Sequence, residues 1–148
     1  MIPHTVSASA DLDAPADRVY RAVADYREGH PRIIPRPPFV SLEVEEGGYG
    51  AGTVIRCTMK LASMQSTFRA AVTEPEPGRR LVETDLAGGP VTTFTCEPLP
   101  EGRTRATIST LLQRNGKQVG LIERWIIVRF LRKVYQEELR LLQAEAKR

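Results

Sequence analysis

An alternation of apolar and polar residues opens the chain. Positions 6, 8, 10 and 12 are apolar and the positions between them are serine or aspartate, which predicts a strand with one buried face over Thr5–Leu12. Pro15 then suits a first helical turn, Asp17 complements the helix dipole there, and apolar residues at helical spacing continue to Tyr26. A short helix is therefore predicted next, and the four prolines in residues 26–38 predict a second, broken helical turn or an ordered loop.

Six further strand patterns follow in the middle of the chain. They cover residues 39–45, 53–61, 64–73, 80–86, 91–97 and 103–113. Segments rich in proline and glycine separate most of them, and no helical pattern of about ten residues lies between them to make a parallel crossover. The sequence therefore predicts a seven-stranded antiparallel sheet.

Residues 117–147 predict one long C-terminal helix with two apolar faces. One face contains Val119, Ile122, Ile126, Phe130, Val134 and Leu141, and the other contains Leu121, Val128, Leu131, Tyr135, Leu139, Leu142 and Ala146. A basic stripe of Arg129, Lys133, Arg140 and Lys147 runs between them. Each of the two apolar faces must pack against another part of the protein or against a partner. Residues 26–38 can cover the second face, or it makes an external contact as a homodimer or on an anionic membrane.

The glycine-rich segment 45–53 predicts a hairpin loop and not a nucleotide site. Glycines that hold phosphates open a helix, whose N-terminal N–H groups bind the anion. Here Val54, Ile55 and Cys57 continue as a strand, and no Gly-Lys-Ser/Thr follows. Phosphate binding is therefore disfavoured.

Composition narrows the function classes. A length of 148 residues fits one domain, 1–148, with a core large enough to enclose a small-molecule cavity. A net charge of +3 without aromatic base-stacking platforms predicts no nucleic acid as partner. Cys57 and Cys96 have neither pairing nor metal-like spacing, and no signal segment precedes the first strand, so a cytoplasmic location is expected.

The order of the predicted elements resembles the helix-grip fold of START-related and birch-pollen-allergen-like proteins. The resemblance covers the whole chain, and its best local carriers are residues 11–15 (Asp-Leu-Asp-Ala-Pro), with Val19 four residues on, and the glycine-rich residues 46–53. The most similar branch is the bacterial polyketide cyclase/dehydrase and lipid-transport group. The resemblance implies an α+β fold, with a curved seven-stranded sheet around the C-terminal helix, two short N-terminal helical segments and an apolar cavity.

Strand alternation, together with this resemblance, predicts the residues of the cavity wall. They are Ile55, Cys57, Met59, Met64, Phe68, Ala70, Phe94, Cys96, Ile108 and Thr110 from the sheet, and Ile122, Ile126 and Phe130 from the C-terminal helix. The alternative is an ordinary core with no cavity.

Candidate catalytic residues are few. His30 can serve in acid–base chemistry near neutral pH, but the sequence shows no partner for it and favours an exposed or loop-capping histidine. Glu83 and Asp85, like Arg56 and Arg69, are most simply placed on the outer face of the sheet. In residues 80–86, however, alternation does not decide which set of side chains points inward, so Glu83 can face the cavity. Trp125 is expected in the core and Tyr49 at an exposed turn. Neither a metal site nor a cysteine nucleophile is predicted.

Three functions remain open. The favoured one is non-enzymatic: binding or carriage of a small hydrophobic molecule, such as a lipid, isoprenoid, quinone or polyketide-like compound, without a cofactor. The alternative is a polyketide cyclase or dehydratase that uses the same cavity. The third is a peripheral membrane or partner-binding module that uses the basic amphipathic C-terminal helix.

Overall fold

A seven-stranded antiparallel sheet and a long C-terminal helix dominate the computed structural model, which describes residues 4–61 and 63–148. The strands are β1 (Thr5–Leu12), β2 (Phe39–Glu46), β3 (Val54–Leu61), β4 (Met64–Glu76), β5 (Arg80–Asp85), β6 (Val91–Leu99) and β7 (Arg103–Leu111). The helices are α1 (Ala16–Ala24), α2 (Gly29–Ile33) and α3 (Leu121–Ala146). The strand order is β1-β7-β6-β5-β4-β3-β2, so the first strand closes one edge beside the last. The predicted α+β helix-grip architecture is confirmed.

The start of α3 differs from the prediction. Residues Gln113–Arg114 (β8) and Lys117–Gln118 (β9) form a two-stranded ribbon, and α3 begins only at Leu121. Asn115 and Gly116 both have positive φ, at 52° and 73°, which is the backbone of a tight hairpin turn. The Asn-Gly pair therefore reverses the chain for one short ribbon before the helix begins.

The two halves of α3 have different surroundings. The C-terminal half packs against β1, α1 and α2 and buries Val134, Tyr135, Leu139 and Leu142. In the N-terminal half Leu121, Ile122, Trp125 and Ile126 are exposed, so the prediction of Trp125 as a core residue was wrong. Within the described residues no helix is long and apolar enough to span a bilayer.

The glycine-rich segment connects β2 to β3 and lies against the end of α1. Gly50 N–H donates to the Ala24 carbonyl, and Tyr26 N–H donates to the Gly48 carbonyl, both at 2.9 Å. Gly50 has φ +61°, and a Cβ there would lie 2.6 Å from Oε2 of Glu74. That carboxylate accepts hydrogen bonds from the Tyr20 hydroxyl at 2.6 Å and from Ala51 N–H at 3.0 Å. The segment thus joins the hairpin to α1 through backbone contacts.

We expect Gly50→Val to lower the free energy of unfolding by about 2–4 kcal/mol, because it adds backbone strain and displaces Glu74. Gly52→Val is the matched control. Gly52 also has positive φ but nothing lies within 4 Å of its Cβ position, so only backbone strain of about 1–2 kcal/mol is expected. Urea denaturation measures both values, and equal losses would contradict the role given to Glu74.

Candidate ligand-binding cavity

A cavity of about 280 Å³ lies between the sheet and the helical layer. Most of its wall is apolar. The apolar lining residues are Ile34, Phe39, Leu42, Ile55, Cys57, Met59, Phe68, Ala70, Pro90, Phe94 and Leu131. Of the residues predicted from the sequence, Ile55, Cys57, Met59, Phe68, Ala70, Phe94 and Thr110 line it. All of these lie on strands, where alternation alone fixes which side chains share a face.

The other predicted wall residues lie elsewhere. Cys96 and Ile108 are buried in the core but do not line the cavity, and Phe130 is half-buried against that core. Met64 is 77% exposed, since it is the first residue of β4 and pairs with Leu61 at the end of the hairpin.

Ile122 and Ile126 are exposed because they lie in the N-terminal half of α3, where Leu121 and Trp125 are exposed as well, and Ile126 also points away from the cavity. Ile126 precedes Tyr135, which lines the cavity, by nine residues. At about 100° per residue this places the two side chains on opposite sides of the helix. The inward face of α3 therefore carries Leu131, Tyr135 and Glu138 instead.

Glu83 and Asp85 face the cavity, which corrects their simplest placement on the outer face. The pairing of β5 with its neighbouring strands decides which of its alternate residues face the cavity. Glu83 is paired with Val72 on one side and Thr92 on the other, and cross-strand partners share a face of the sheet. Val72 is buried, so Glu83 points inward with it. Arg56 and Arg69 stay on the exposed face, where both donate to Glu45 at 2.9 and 2.7 Å.

His30 is 2% exposed and has partners, so of the two predicted roles, exposed or capping, the exposed one was wrong. Its Nδ1 lies 2.7 Å from the Val23 carbonyl oxygen at the end of α1. A carbonyl can only accept, so Nδ1 carries the hydrogen and His30 does cap that helix end. The other nitrogen, Nε2, faces Oε2 of Glu83 at 3.6 Å. The ring stacks on Tyr26, with 4.3 Å between centroids.

Tyr26 supplies the strongest hydrogen bond to Glu83. Its hydroxyl donates to Oε2 at 2.5 Å. Burial, followed by the nearby charge of Glu83, raises the pKa of the Tyr26 phenol well above its ordinary value. The phenol therefore keeps its proton and remains a donor. Tyr26, His30 and Glu83 form one polar cluster at the cavity wall.

Glu138 is a functional candidate that the sequence analysis missed. It lies on α3, lines the cavity and is 3% exposed, and no side chain in residues 4–61 or 63–148 donates a hydrogen bond to its carboxyl. Burial, and then the negative charge of Glu83, raise the pKa of Glu138 well above its ordinary value. The sequence feature that could have identified Glu138 is its position three residues after Tyr135, on the helix face that also holds Leu131 and Leu142.

A second polar group at the cavity consists of hydroxyls from β6, β7 and α3, and its Thr92 is the cross-strand partner of Glu83. The Tyr135 hydroxyl and Thr110 Oγ1 are hydrogen-bonded, and Thr110 Oγ1 lies 2.9 Å from Thr92 Oγ1. These hydroxyls can each donate or accept toward a ligand. Cys57 is a poor nucleophile, because burial raises the pKa of its thiol to about 12. In the described residues no group of three His, Cys, Asp or Glu side chains is placed to hold a metal ion.

Comparison with solved structures identifies the same fold in other proteins. The KanY protein is 22% identical over 100% of both chains, with a TM-score of 0.86. The ZhuI aromatase/cyclase of Streptomyces sp. R1128 is also 22% identical, with 97% of this chain and 93% of that one covered and a TM-score of 0.75. A START superfamily protein of Mycobacterium smegmatis is 14% identical over 97% of both chains, with a TM-score of 0.72. At these identities the likeness concerns the fold.

No significant match was found among curated protein sequences. The family model described as polyketide cyclase/dehydrase and lipid transport, by contrast, matches residues 3–147. That match spans nearly the whole chain, and the structural neighbours include START and aromatase/cyclase proteins. The chain therefore belongs to the polyketide cyclase/dehydrase and lipid-transport family.

Proposed function

We propose that this protein binds or carries a small hydrophobic molecule in the cavity between the sheet and α3. The observation that carries the proposal is a cavity of about 280 Å³ whose wall is mostly apolar and holds only a few polar side chains. Sites of this kind take ligands whose apolar body is desolvated while one or two polar groups fix its orientation. Lipids, isoprenoids, quinones and polyketide-like compounds all have that character.

The polar side chains support an oriented ligand. Glu83, His30 and Glu138 line the same cavity as Phe68 and Phe94, so a ligand meets acidic and aromatic groups together. The Thr110 and Tyr135 hydroxyls add further hydrogen-bonding positions. A ligand with an apolar body and a polar end fits a cavity with both apolar and polar lining residues better than a pure hydrocarbon does.

A cyclase or dehydratase reaction in the same cavity is the second candidate function. The contact between His30 Nε2 and Glu83 Oε2 favours it, because a buried imidazole beside a carboxyl can pass a proton to or from a bound molecule. Mass spectrometry of molecules extracted from protein purified from its own host tests this candidate. A ligand recovered together with an isomer, or with a form that has lost water, would support catalysis if Glu83→Gln abolished the second species.

A membrane contact is proposed for the exposed N-terminal half of α3. Leu121, Ile122, Trp125 and Ile126 form an apolar surface there, and the Arg129 guanidinium lies 5.1 Å from the Trp125 ring centre. Exposed apolar residues beside basic ones are typical of helices that lie on anionic lipid.

The basic stripe predicted from the sequence is not uniform in its contacts. Arg140 is paired with Glu137, and Lys147 lies 4.0 Å from Asp13. Arg129 and Lys133 make no salt bridge within the described residues. These two charges, next to the exposed apolar surface, favour an anionic membrane over a homodimer as its cover.

We expect Phe68→Arg to weaken the binding of apolar fluorescent probes by about tenfold or more, because it places an unpaired charge in the cavity wall. Ile126→Arg is the matched control. Ile126 is 55% exposed, so the same change there should leave probe affinity unaltered. Titration of probe fluorescence measures both, with circular dichroism as the folding check. A folded Phe68→Arg variant that binds like the parent would overturn the proposed cavity function.

We expect salt-sensitive binding to phosphatidylserine vesicles, with a blue shift in the emission of the single tryptophan, Trp125. Arg129→Glu/Lys133→Glu should weaken this binding, since each basic residue near an anionic surface contributes about 1 kcal/mol. Arg140→Glu/Lys147→Glu makes the same change in net charge at the other end of α3 and should have a smaller effect. A monomer in analytical ultracentrifugation that ignores such vesicles at low salt would rule out both a membrane and a homodimer contact.

A further inference from the structure

The charged residues that line the cavity are almost all acidic. Its ionisable lining includes Glu83, Asp85, Glu138 and His30, and among the described residues no lysine or arginine lines it. The chain as a whole has 21 lysine and arginine residues against 18 aspartate and glutamate residues. The ionisable residues of the cavity are therefore mainly acidic, whereas the chain as a whole has a positive net charge.

The three carboxyls that line the cavity differ in the hydrogen bonds that the protein donates to them. Asp85 accepts a hydrogen bond from Ala87 N–H at 2.9 Å, and Glu83 accepts one from Tyr26 and faces His30. Glu138 has no hydrogen-bond donor among the described residues, although it is 3% exposed. No enclosed polar side-chain atom of the described residues lacks a hydrogen-bond partner, so the unbonded carboxyl oxygens of Glu138 are open to the cavity that this residue lines. Glu138 is thus the group that a ligand can satisfy.

The groups around Glu138 define what charge a ligand must bring. Glu83 and Asp85 on the sheet add negative charge, and Tyr26, Tyr135 and Cys57 are neutral. Of the described lining residues His30 is the one basic group, and its Nε2 is directed at Glu83; Arg36 acts on Cys57 by its charge but does not line the cavity. A ligand carboxylate would meet like charges there. A ligand cation would instead favour the ionised form of Glu138 and form charge-assisted hydrogen bonds, which are about twice as strong as neutral ones.

We propose that the cavity selects a ligand whose apolar body carries a basic nitrogen, and that Glu138, with Glu83, holds that nitrogen in its protonated form. The inference rests on the proposed function, since it requires that the cavity take a ligand. It adds the chemical class: an apolar amine or another weakly basic nitrogen compound, in preference to a neutral alcohol and above all to a fatty-acid-like carboxylate.

Three probes with one carbon skeleton test the charge preference: 4-phenylbutylamine, 4-phenylbutanol and 4-phenylbutyrate. In isothermal titration calorimetry near neutral pH, we expect the amine to bind about tenfold or more tightly than the alcohol, and the carboxylate to bind weakest.

Glu138→Gln should remove the preference for the amine, so that the amine and the alcohol bind this variant with about equal affinity. Glu137→Gln is the matched control, because Glu137 is the neighbouring residue on α3, faces solvent and pairs with Arg140. This control should leave the affinities of all three probes as in the parent protein.

Proton release provides a readout that a merely structural role for Glu138 would not change. Because the pKa of Glu138 is raised in the unliganded protein, the bound cation should drive its proton off. The calorimetric enthalpy for the amine should then vary with the ionisation enthalpy of the buffer, and that for the alcohol should not. The affinity of the amine should fall as the pH is lowered through the pKa of Glu138.

Thermal unfolding checks that Glu138→Gln is folded. A carboxyl whose pKa is higher in the folded than in the unfolded protein contributes stability at low pH, which is lost as the pH rises through the folded pKa. The variant should therefore unfold a few degrees above the parent at about pH 8, and the difference should shrink toward about pH 4.

The outcomes separate the inference from the function on which it rests. Equal affinities of the amine and alcohol, or an amine preference that survives in Glu138→Gln, would overturn the selection of a basic nitrogen and leave a hydrophobic cavity in place. Failure of all three probes to bind would overturn the cavity function, and this inference with it.

Discussion

The hydrogen bond from the Tyr26 hydroxyl to Glu83 is the contact on which the polar wall of the cavity depends. It fixes a carboxyl on the middle strand of the sheet to a tyrosine two residues after the end of α1. The same tyrosine stacks on His30, and its backbone N–H binds the glycine-rich loop at Gly48. One residue thus connects the end of α1, α2, the β2–β3 loop and β5. Since each of these contacts is buried or nearly so, the arrangement has few alternative positions.

The fold was predictable because period-two alternation and turn residues act locally. Ile55, Cys57 and Met59 on β3 were assigned to the inner face correctly from alternation alone. Glu83 was not, since both parities of residues 80–86 mix apolar and polar side chains. The register with Val72 and Thr92 settles its direction, and pairing between strands distant in sequence is a tertiary property.

The helix was harder to interpret than the strands. Its sequence shows two apolar faces, but not which of them meets the sheet, so Ile122 and Ile126 were assigned inward although Tyr135 and Glu138 have that position. Only the packing of α1 and α2 against the C-terminal half of α3 decides this. An acid on that face looks solvated in a helical projection, and nothing short of the tertiary structure shows that Glu138 is enclosed.

The contact between the glycine-rich loop and the end of α1 has a consequence for how the cavity responds to its surroundings. The loop is held by Tyr26 N–H and by the Ala24 carbonyl, so its backbone and the phenol that binds Glu83 belong to one rigid connection. A displacement at Gly48 therefore moves the donor of a hydrogen bond to a residue 57 positions further along the chain than Tyr26. The loop and the acidic wall thus share one residue, Tyr26, whose backbone binds the loop and whose phenol binds Glu83.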